Sequence, residues 1–436
     1  MDAMTAVRDR LSYPDGAAVD RAAVTEEDAE NVAARVVSSR AEGEAYVASV
    51  CFKHGPPRLL GVEIEYTVHD AHDPAQPLRP DRLADALGSH TPRTLRPGSE
   101  AAPLPGGSTL TLEPGCQVEI STAPQESLRA LATVASTDLC YVTDLLALSG
   151  LRLGTQGIDP VRGPKRLLPT ERYAAMERRF APMGPGGLTM MCSTAALQVC
   201  VDIGERSQAA ARWAAAHALG PVLLSLFANS RRHAGRDTGM ASARWQAVMD
   251  TENARTYAQG PVADPAQAWA RRVLDTPLMV LPRKDGPWDA PAGLTFADWI
   301  ESRGPAAVLA PPTFADLDYH LTTLFTPVRP HGYLEIRYLD AQPPGTWLHP
   351  VALLSALLEN DSTVDKVLEI CEPVADKWSD AARHGLADRA ISTAAFAVAD
   401  IGCSALSTAD LPADTIAAIA NDVARRLRRR GGNRPT

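Results

Sequence analysis

Four short stretches of this chain alternate apolar and polar positions with the two-residue period of a strand. In "RLLGVEIEYTVHD" (58–70), Val62, Ile64 and Tyr66 point one way and Glu63 and Glu65 the other. In "CQVEIS", Val118 and Ile120 oppose Gln117 and Glu119. In "LQVCVDI", Leu197, Val199 and Val201 oppose Gln198, Cys200 and Asp202; in "YLEIRYL", Leu334, Ile336 and Tyr338 oppose Glu335 and Arg337. Each backing face is strongly apolar, which predicts a layer of helices behind it. Taken singly, an E-x-E strand is an ordinary solvated face, and Glu335/Arg337 a same-face ion pair worth little. Two carboxylates on one strand face lie about 7 Å apart and repel by roughly 2 kcal/mol at an effective dielectric near 20. Four such faces together, with Glu113 at a hairpin corner, predict one concave sheet lined with acids and one arginine.

The remaining pattern supplies the connections. "STLTLEPGCQVEIST" (108–122) predicts a hairpin with Pro114 and Gly115 at the centre of a type II turn. The segment 318–340 predicts a second hairpin turning at Pro330 to Gly332, and 188–204 predicts a strand. Helical signals open at Thr25, with Asp28 three residues on and a stripe of Val32, Val36 and Val37. Others cover "PDRLADALGS", 123–150 up to Gly150, "TERYAAMERRFAPMG", 206–230 with a kink near Pro221, and the chain beyond Pro350. The rest of 70–108 reads as a long connection. Helices and antiparallel hairpins alternate without a βαβ rhythm, so the class is α+β. No fixed-period repeat is present and no linker divides residues 1–436. One catalytic unit is expected: a helical segment at 1–55, the sheet and site at 56–345, and helices at 346–436.

Composition narrows the function. Of 436 residues 45% are hydrophobic and 22% charged, an ordinary globular balance, and the net charge of −9 excludes a generally basic nucleic-acid surface. The exception, "RRLRRRGGNR" at 425–434, reads as a helix end whose cations complement the dipole. Seven scattered cysteines without a C-x-x-C fit a reducing compartment and free thiols. "MDAMTAVRDRL" lacks a signal-peptide core, and the most membrane-like run, 394–406, is short and carries Asp400. A cytoplasmic protein is expected, a monomer or homodimer with no nucleic-acid or membrane partner.

Gathering Glu63, Glu65, Glu113, Glu119 and Glu335 in one cleft requires compensating positive charge. Mg²⁺ supplies it best, since it takes carboxylate oxygens, water and phosphates; the absence of clustered His and Cys argues against zinc. Arg337 discriminates further: beside a metal, a planar guanidinium serves a phosphate. No G-x-x-x-x-G-K-[ST] loop, G-x-G-x-x-G fingerprint, H-E-x-x-H, G-x-S-x-G or Cys/His dyad is present, and "GPGG" at 184–187 lacks the phosphate-loop spacing. Bound ATP would therefore have its phosphates held by metals on a sheet.

In order along the chain, "GVEIEY", "LEPGCQVEIS", "LQVCVD", "LFANS" and "GYLEIRYLD" resemble the glutamate–cysteine ligase family in its plant-type branch, nearest the subgroup that makes γ-glutamylcysteine for ergothioneine synthesis. These motifs span roughly 58–340. The resemblance implies a glutamine synthetase-like fold: a curved antiparallel sheet cradling ATP, as co-substrate, and two or three Mg²⁺ ions. By motif it implies that Glu65, Glu113 and Glu119 hold one Mg²⁺ and that Glu63, Gln198 and Glu335 hold metals bridging the ATP phosphates. Arg337 would contact the γ-phosphate. The implied reaction joins glutamate to cysteine through γ-glutamyl phosphate and needs no side-chain nucleophile. Arg172 and Arg244, with Ser193 and Thr194, are the candidates for holding glutamate; Arg231 and Arg232 are weaker ones, since loop arginines are usually solvated. Cys116 stands where the plant-type turn is expected to carry glycine, and Val248 where an aromatic is expected, with Trp245 adjacent to Arg244. The alternatives are a ligase joining glutamate to another amine, and a non-catalytic binding or regulatory homologue.

Overall fold

The computed structural model describes residues 33–428. The helix start expected at Thr25 to Val32 and the basic tail beyond Arg428 lie outside these residues. Val36 and Val37 are not on a helical stripe: Val36 bridges to Thr313 and the Val37 amide donates to the Pro312 carbonyl at 2.9 Å. Ala33 and Ala34 are helical, and a separate helix runs Arg40–Cys51, opened by the Ser39 hydroxyl accepting from the Glu42 amide.

The centre of the described chain is a six-stranded sheet. Its strands are β1 (Leu60–Tyr66), β2 (Thr109–Leu112), β3 (Val118–Ser121), β4 (Ala196–Val201), β5 (Val328–Pro330) and β6 (Leu334–Asp340). They lie in the order β2-β3-β1-β4-β6-β5, open at both edges, with every pairing antiparallel. The register makes the polar face continuous. Glu65 faces Glu119 across β1–β3, Glu63 faces Gln198 across β1–β4, and Glu335 faces Cys200 on one side and Arg329 on the other. A one-residue slip anywhere would send these side chains into the apolar layer.

That layer is as the alternation predicts. Ile64, Tyr66, Val118, Ile120, Leu197, Val199, Leu334, Ile336 and Tyr338 are all fully buried. Against them pack the helices Ala209–Leu226 and Leu128–Leu148. The first is apolar on every side and buried on nearly every side, the pattern of a central helix. Tyr338 donates its hydroxyl to the Ala216 carbonyl at 3.1 Å, tying β6 to it. The helix runs through Pro221, and at Gly220 an added Cβ would lie 1.9 Å from the Trp378 ring. Leu128–Leu148 and Arg389–Leu406 are long and apolar enough to cross a bilayer by length and composition. Each, however, buries one face in the core, through Leu131, Ala135, Leu139 and Val142 in the first and Ile391, Ala395 and Val398 in the second.

Three local expectations are corrected. The strand read across 188–204 begins only at Ala196; Gly186–Ser193 is a helix packed on Glu171–Phe180 and Ala243–Met249. A short apolar run has no decisive period, and Gly187, whose Cβ would fall 2.2 Å from Phe180, is what lets the two helices meet. The strand read from 318 starts at Val328, because Thr313 and Asp316 form a capping box that opens the helix Phe314–Leu321. In the 108–122 hairpin the left-handed residue is Cys116, φ 63°, rather than Gly115. The Cys116 amide donates to Glu113 O at 2.7 Å and the Glu113 amide to Gln117 O at 2.9 Å, a turn followed by a left-handed bulge residue. Gly115 is required for space instead, since a Cβ there would lie 2.1 Å from the Cys192 carbonyl oxygen.

Candidate active site

The polar face is not solvated. Glu63, Glu65 and Glu119 are 6–8% exposed, Gln198 is 2% and Glu335 0%. Glu63, Glu65, Glu119 and Gln198 line the floor of a cavity of about 1680 Å³, larger than a typical single-ligand pocket; Glu335, expected there as a metal ligand, is not in the lining, whereas Arg329 and Arg337, which hold it, are. β1 contributes Glu65, β3 Glu119, and the β2–β3 corner Glu113; one carboxylate oxygen from each lies within 4.8 Å of the others. Protein donors orient Glu65 and Glu119. Glu65 accepts from the Ala196 amide at 2.7 Å and from Gln198 Nε2 at 2.9 Å. Glu119 Oε1 accepts from the hydroxyls of Thr111 at 2.8 Å and Ser121 at 3.0 Å.

Burial pushes the Glu65 carboxyl up, against the pull of the Ala196 amide, Arg244 and Arg337. Glu113 is driven well above the carboxylate range by burial first, then by the charges of Glu119 and Glu65. Three acids offering only hard oxygen donors, two of them raised by burial, fit a magnesium-type ion.

The other end of the floor is positive. Arg329 forks onto Glu335, with Nε 2.5 Å from Oε2 and Nη2 3.0 Å from Oε1, and Arg337 Nη1 lies 3.0 Å from Oε2. Burial alone would raise Glu335, but the two guanidinium groups more than offset it and hold the carboxyl far below its usual range. Arg337 also donates to Gln198 Oε1, so Gln198 bridges the acid and arginine ends. The β6–β4 register shifts between Ile336 and Leu339, and at that irregularity Arg337 enters the cavity wall.

Of the amino-acid candidates, Arg172 lines the cavity rather than solvent. It donates to Thr322 Oγ1 at 3.0 Å and Thr322 O at 3.1 Å and lies 5.0 Å from the Tyr319 ring centroid. Arg244, 4% exposed, lines it too, donating Nη2 to the Arg337 carbonyl while Nη1 has no partner. Thr194 is in the wall; Ser193 is not, being the buried last residue of its helix with an unpartnered hydroxyl. Arg231 and Arg232 are exposed outside the cavity, Arg231 paired with Asp237.

The scan against known families matches the glutamate–cysteine ligase family 2 over residues 59–434. The chain belongs to that family. Glutamate–cysteine ligase EgtA of Mycolicibacterium smegmatis is 38% identical over 368 residues, 82% of this chain and 83% of its own length. The EgtA of Mycobacterium tuberculosis is 36% identical over 398 residues, 88% and 86% respectively. Among solved structures, a glutamate–cysteine ligase of Francisella tularensis in complex with AMP superposes with a TM-score of 0.51 at 12% identity, covering 87% of this chain and 83% of that one. This last likeness shows the fold, a glutamine synthetase-like arrangement of helices and antiparallel sheet.

Within this glutamate–cysteine ligase, alternation alone missed Arg329. The turn expected at Pro330 to Gly332 would set residue 329 opposite 333; the observed turn at 331–333 sets it opposite Glu335, and an arginine before proline gave no chemical signal of its own. Lys53 and Lys284 also line the cavity and carry no motif.

Proposed function

We propose that this chain joins L-glutamate, through its γ-carboxylate, to L-cysteine at the expense of ATP, giving γ-glutamylcysteine, ADP and phosphate, in service of ergothioneine synthesis. The observation that carries the reading is the convergence of Glu65 with Glu113 and Glu119 of the 108–122 hairpin, beside guanidinium groups in the wall of the same cavity. Glu65, Glu113 and Glu119 would hold one Mg²⁺; Glu63 and Gln198 would serve further ions, and Glu335 would do so only by releasing Arg329 and Arg337. When bound, the metal neutralises phosphate charge and polarises the phosphoryl group under attack.

The chain's own residues do the rest. Arg337 lies between Glu335 and Gln198, with its charge held up by Glu335, Glu63 and Glu65, and is placed to stabilise charge on the transferring phosphoryl group. Arg244, with an unused donor nitrogen in a buried setting, is the better of the two candidates for glutamate's α-carboxylate; Arg172 and Thr194 also line the cavity. The reaction then proceeds by attack of glutamate's γ-carboxylate on the γ-phosphate, followed by attack of cysteine's amine on the γ-glutamyl phosphate. Positioning carries both steps, and no side chain acts as nucleophile.

Purified protein given Mg-ATP and glutamate should release phosphate only when cysteine is added, with γ-glutamylcysteine detected by mass. Phosphate release that ignores cysteine and rises with another amine would overturn the acceptor assignment. No turnover with any amine would favour a binding homologue.

A further inference from the structure

Asp340 ends β6, is fully buried and does not line the cavity. Its Oδ2 accepts from the Asn229 amide at 2.8 Å and from the Ser230 hydroxyl at 2.7 Å, and its Oδ1 from the Ser242 hydroxyl at 2.8 Å. An ionised carboxylate only accepts, so it fixes the direction of both hydroxyl protons. With those protons committed, each serine oxygen turns lone pairs to a backbone amide. Ser230 Oγ accepts from the Arg244 amide at 3.1 Å, and Ser242 Oγ from the Trp245 amide at 3.1 Å. Ser242 is at the same time the cap of the helix Ala243–Met249. The Ala243 amide completes the clasp by donating to the Ser230 carbonyl at 3.1 Å. Arg244 and Trp245 thus have their backbone set by two hydroxyls whose polarity one carboxylate dictates. There is no slack around it: a Cβ on Gly157 would lie 2.8 Å from that of Asp340. Burial raises the Asp340 carboxyl, and Arg244, the Asn229 amide and the two serines pull against it.

We infer that Asp340 is the positioning residue for Arg244, holding it through Ser230 and Ser242 so that the guanidinium stays in the cavity wall to meet the amino-acid substrate's carboxylate. This rests on the assignment of Arg244 to glutamate. It also gives one physical cause for three stretches occurring in a single chain: "FANS" supplies Asn229 and Ser230, "SARW" supplies Ser242 and Arg244, and "YLD" supplies the carboxylate. A merely architectural Asp340 would affect every substrate alike; a positioning one acts on glutamate alone.

Asp340→Asn keeps the volume but replaces one acceptor by a donor, so one serine must turn its proton away from position 340 and accept there instead, which re-aims the oxygen that holds its backbone amide. Steady-state kinetics should show the KM for glutamate rising about tenfold or more, the range expected for losing a hydrogen bond to a charged group. The KM values for ATP and cysteine should stay within about twofold of wild type on the same arithmetic. Ser242→Ala, which leaves the carboxylate in place, should shift glutamate in the same direction by less; it decides the question if Asp340→Asn does not fold. Arg244→Ala is the reference. If it raises the glutamate KM while Asp340→Asn and Ser242→Ala do not, or if those variants move all three KM values together, the inference is overturned and the role of Arg244 stands. If Arg244→Ala leaves the glutamate KM unchanged, the role of Arg244 falls and the inference with it.

Discussion

Replacing Glu113 by glutamine tests whether the acid cluster exists for a cation. Three carboxylates with ligand oxygens within 4.8 Å interact at about 3 kcal/mol per fully ionised pair at an effective dielectric near 20. Without metal the folded chain relieves this by keeping protons, which is why burial and the charges of Glu119 and Glu65 drive Glu113 upward. The sign follows. A carboxyl raised in the folded state binds more protons there than in the unfolded chain, so stability is full below the unfolded value, about 4.5 or lower, and is lost as pH rises from there through the folded value. Glu113→Gln removes one charge and that loss. In chelator at mildly alkaline pH the variant should be more stable than wild type by roughly 1–3 kcal/mol. The variant's thermal midpoint should fall less as pH is raised. Adding Mg²⁺ with ADP should stabilise wild type by mass action and the variant much less. Differential scanning fluorimetry across pH, with and without Mg-ADP, reads all three. Equal pH slopes in chelator, or equal metal-nucleotide stabilisation, would refute the reasoning.

Other perturbations probe separate parts of the structure. Arg329→Ala removes the forked partner of fully buried Glu335 but leaves Arg337; it should cost about 2–3 kcal/mol in urea denaturation, and Arg329→Ala/Glu335→Ala should recover part of this. Gly220→Ala drives a methyl to within 1.9 Å of the Trp378 ring and should destabilise by about 1–3 kcal/mol with the KM values unchanged. Asp318 is raised to about 6, burial outweighing the hydrogen bond from Tyr46. Wild type should therefore lose stability as pH rises from about 4 through 6 relative to Asp318→Asn, on the order of 2 kcal/mol, measured as the difference between their denaturation midpoints.

What could be read from the sequence follows from what repeats along it. Glu63, Glu65, Glu119, Gln198 and Arg337 fall on one face because strand alternation is local, and the apolar partners of each say which face is packed. Glu113 could be placed because a hairpin turn fixes its corner. The left-handed residue could not: a Pro-Gly pair suggests φ > 0 at the glycine, and the loop instead sets it on Cys116 while spending Gly115 on clearance from Cys192, a contact 77 positions away. Residues 188–193 read as strand because the apolar run there has no period, and their helical state goes with packing on Phe180 and the helix Ala243–Met249. Ser193 left the cavity wall with that change. Arg329 and Asp340 act through partners at hairpin or long range, and neither residue type announces this.

The most direct test of the account is Mn²⁺ binding, followed by electron paramagnetic resonance in the presence of ADP, since Mn²⁺ takes the same oxygen ligands as Mg²⁺. The account predicts tight nucleotide-dependent binding to wild type, competed by Mg²⁺ and lost in Glu65→Gln and Glu119→Gln. Mn²⁺ that binds those variants as it binds wild type, or ADP that binds equally well in chelator, would contradict it.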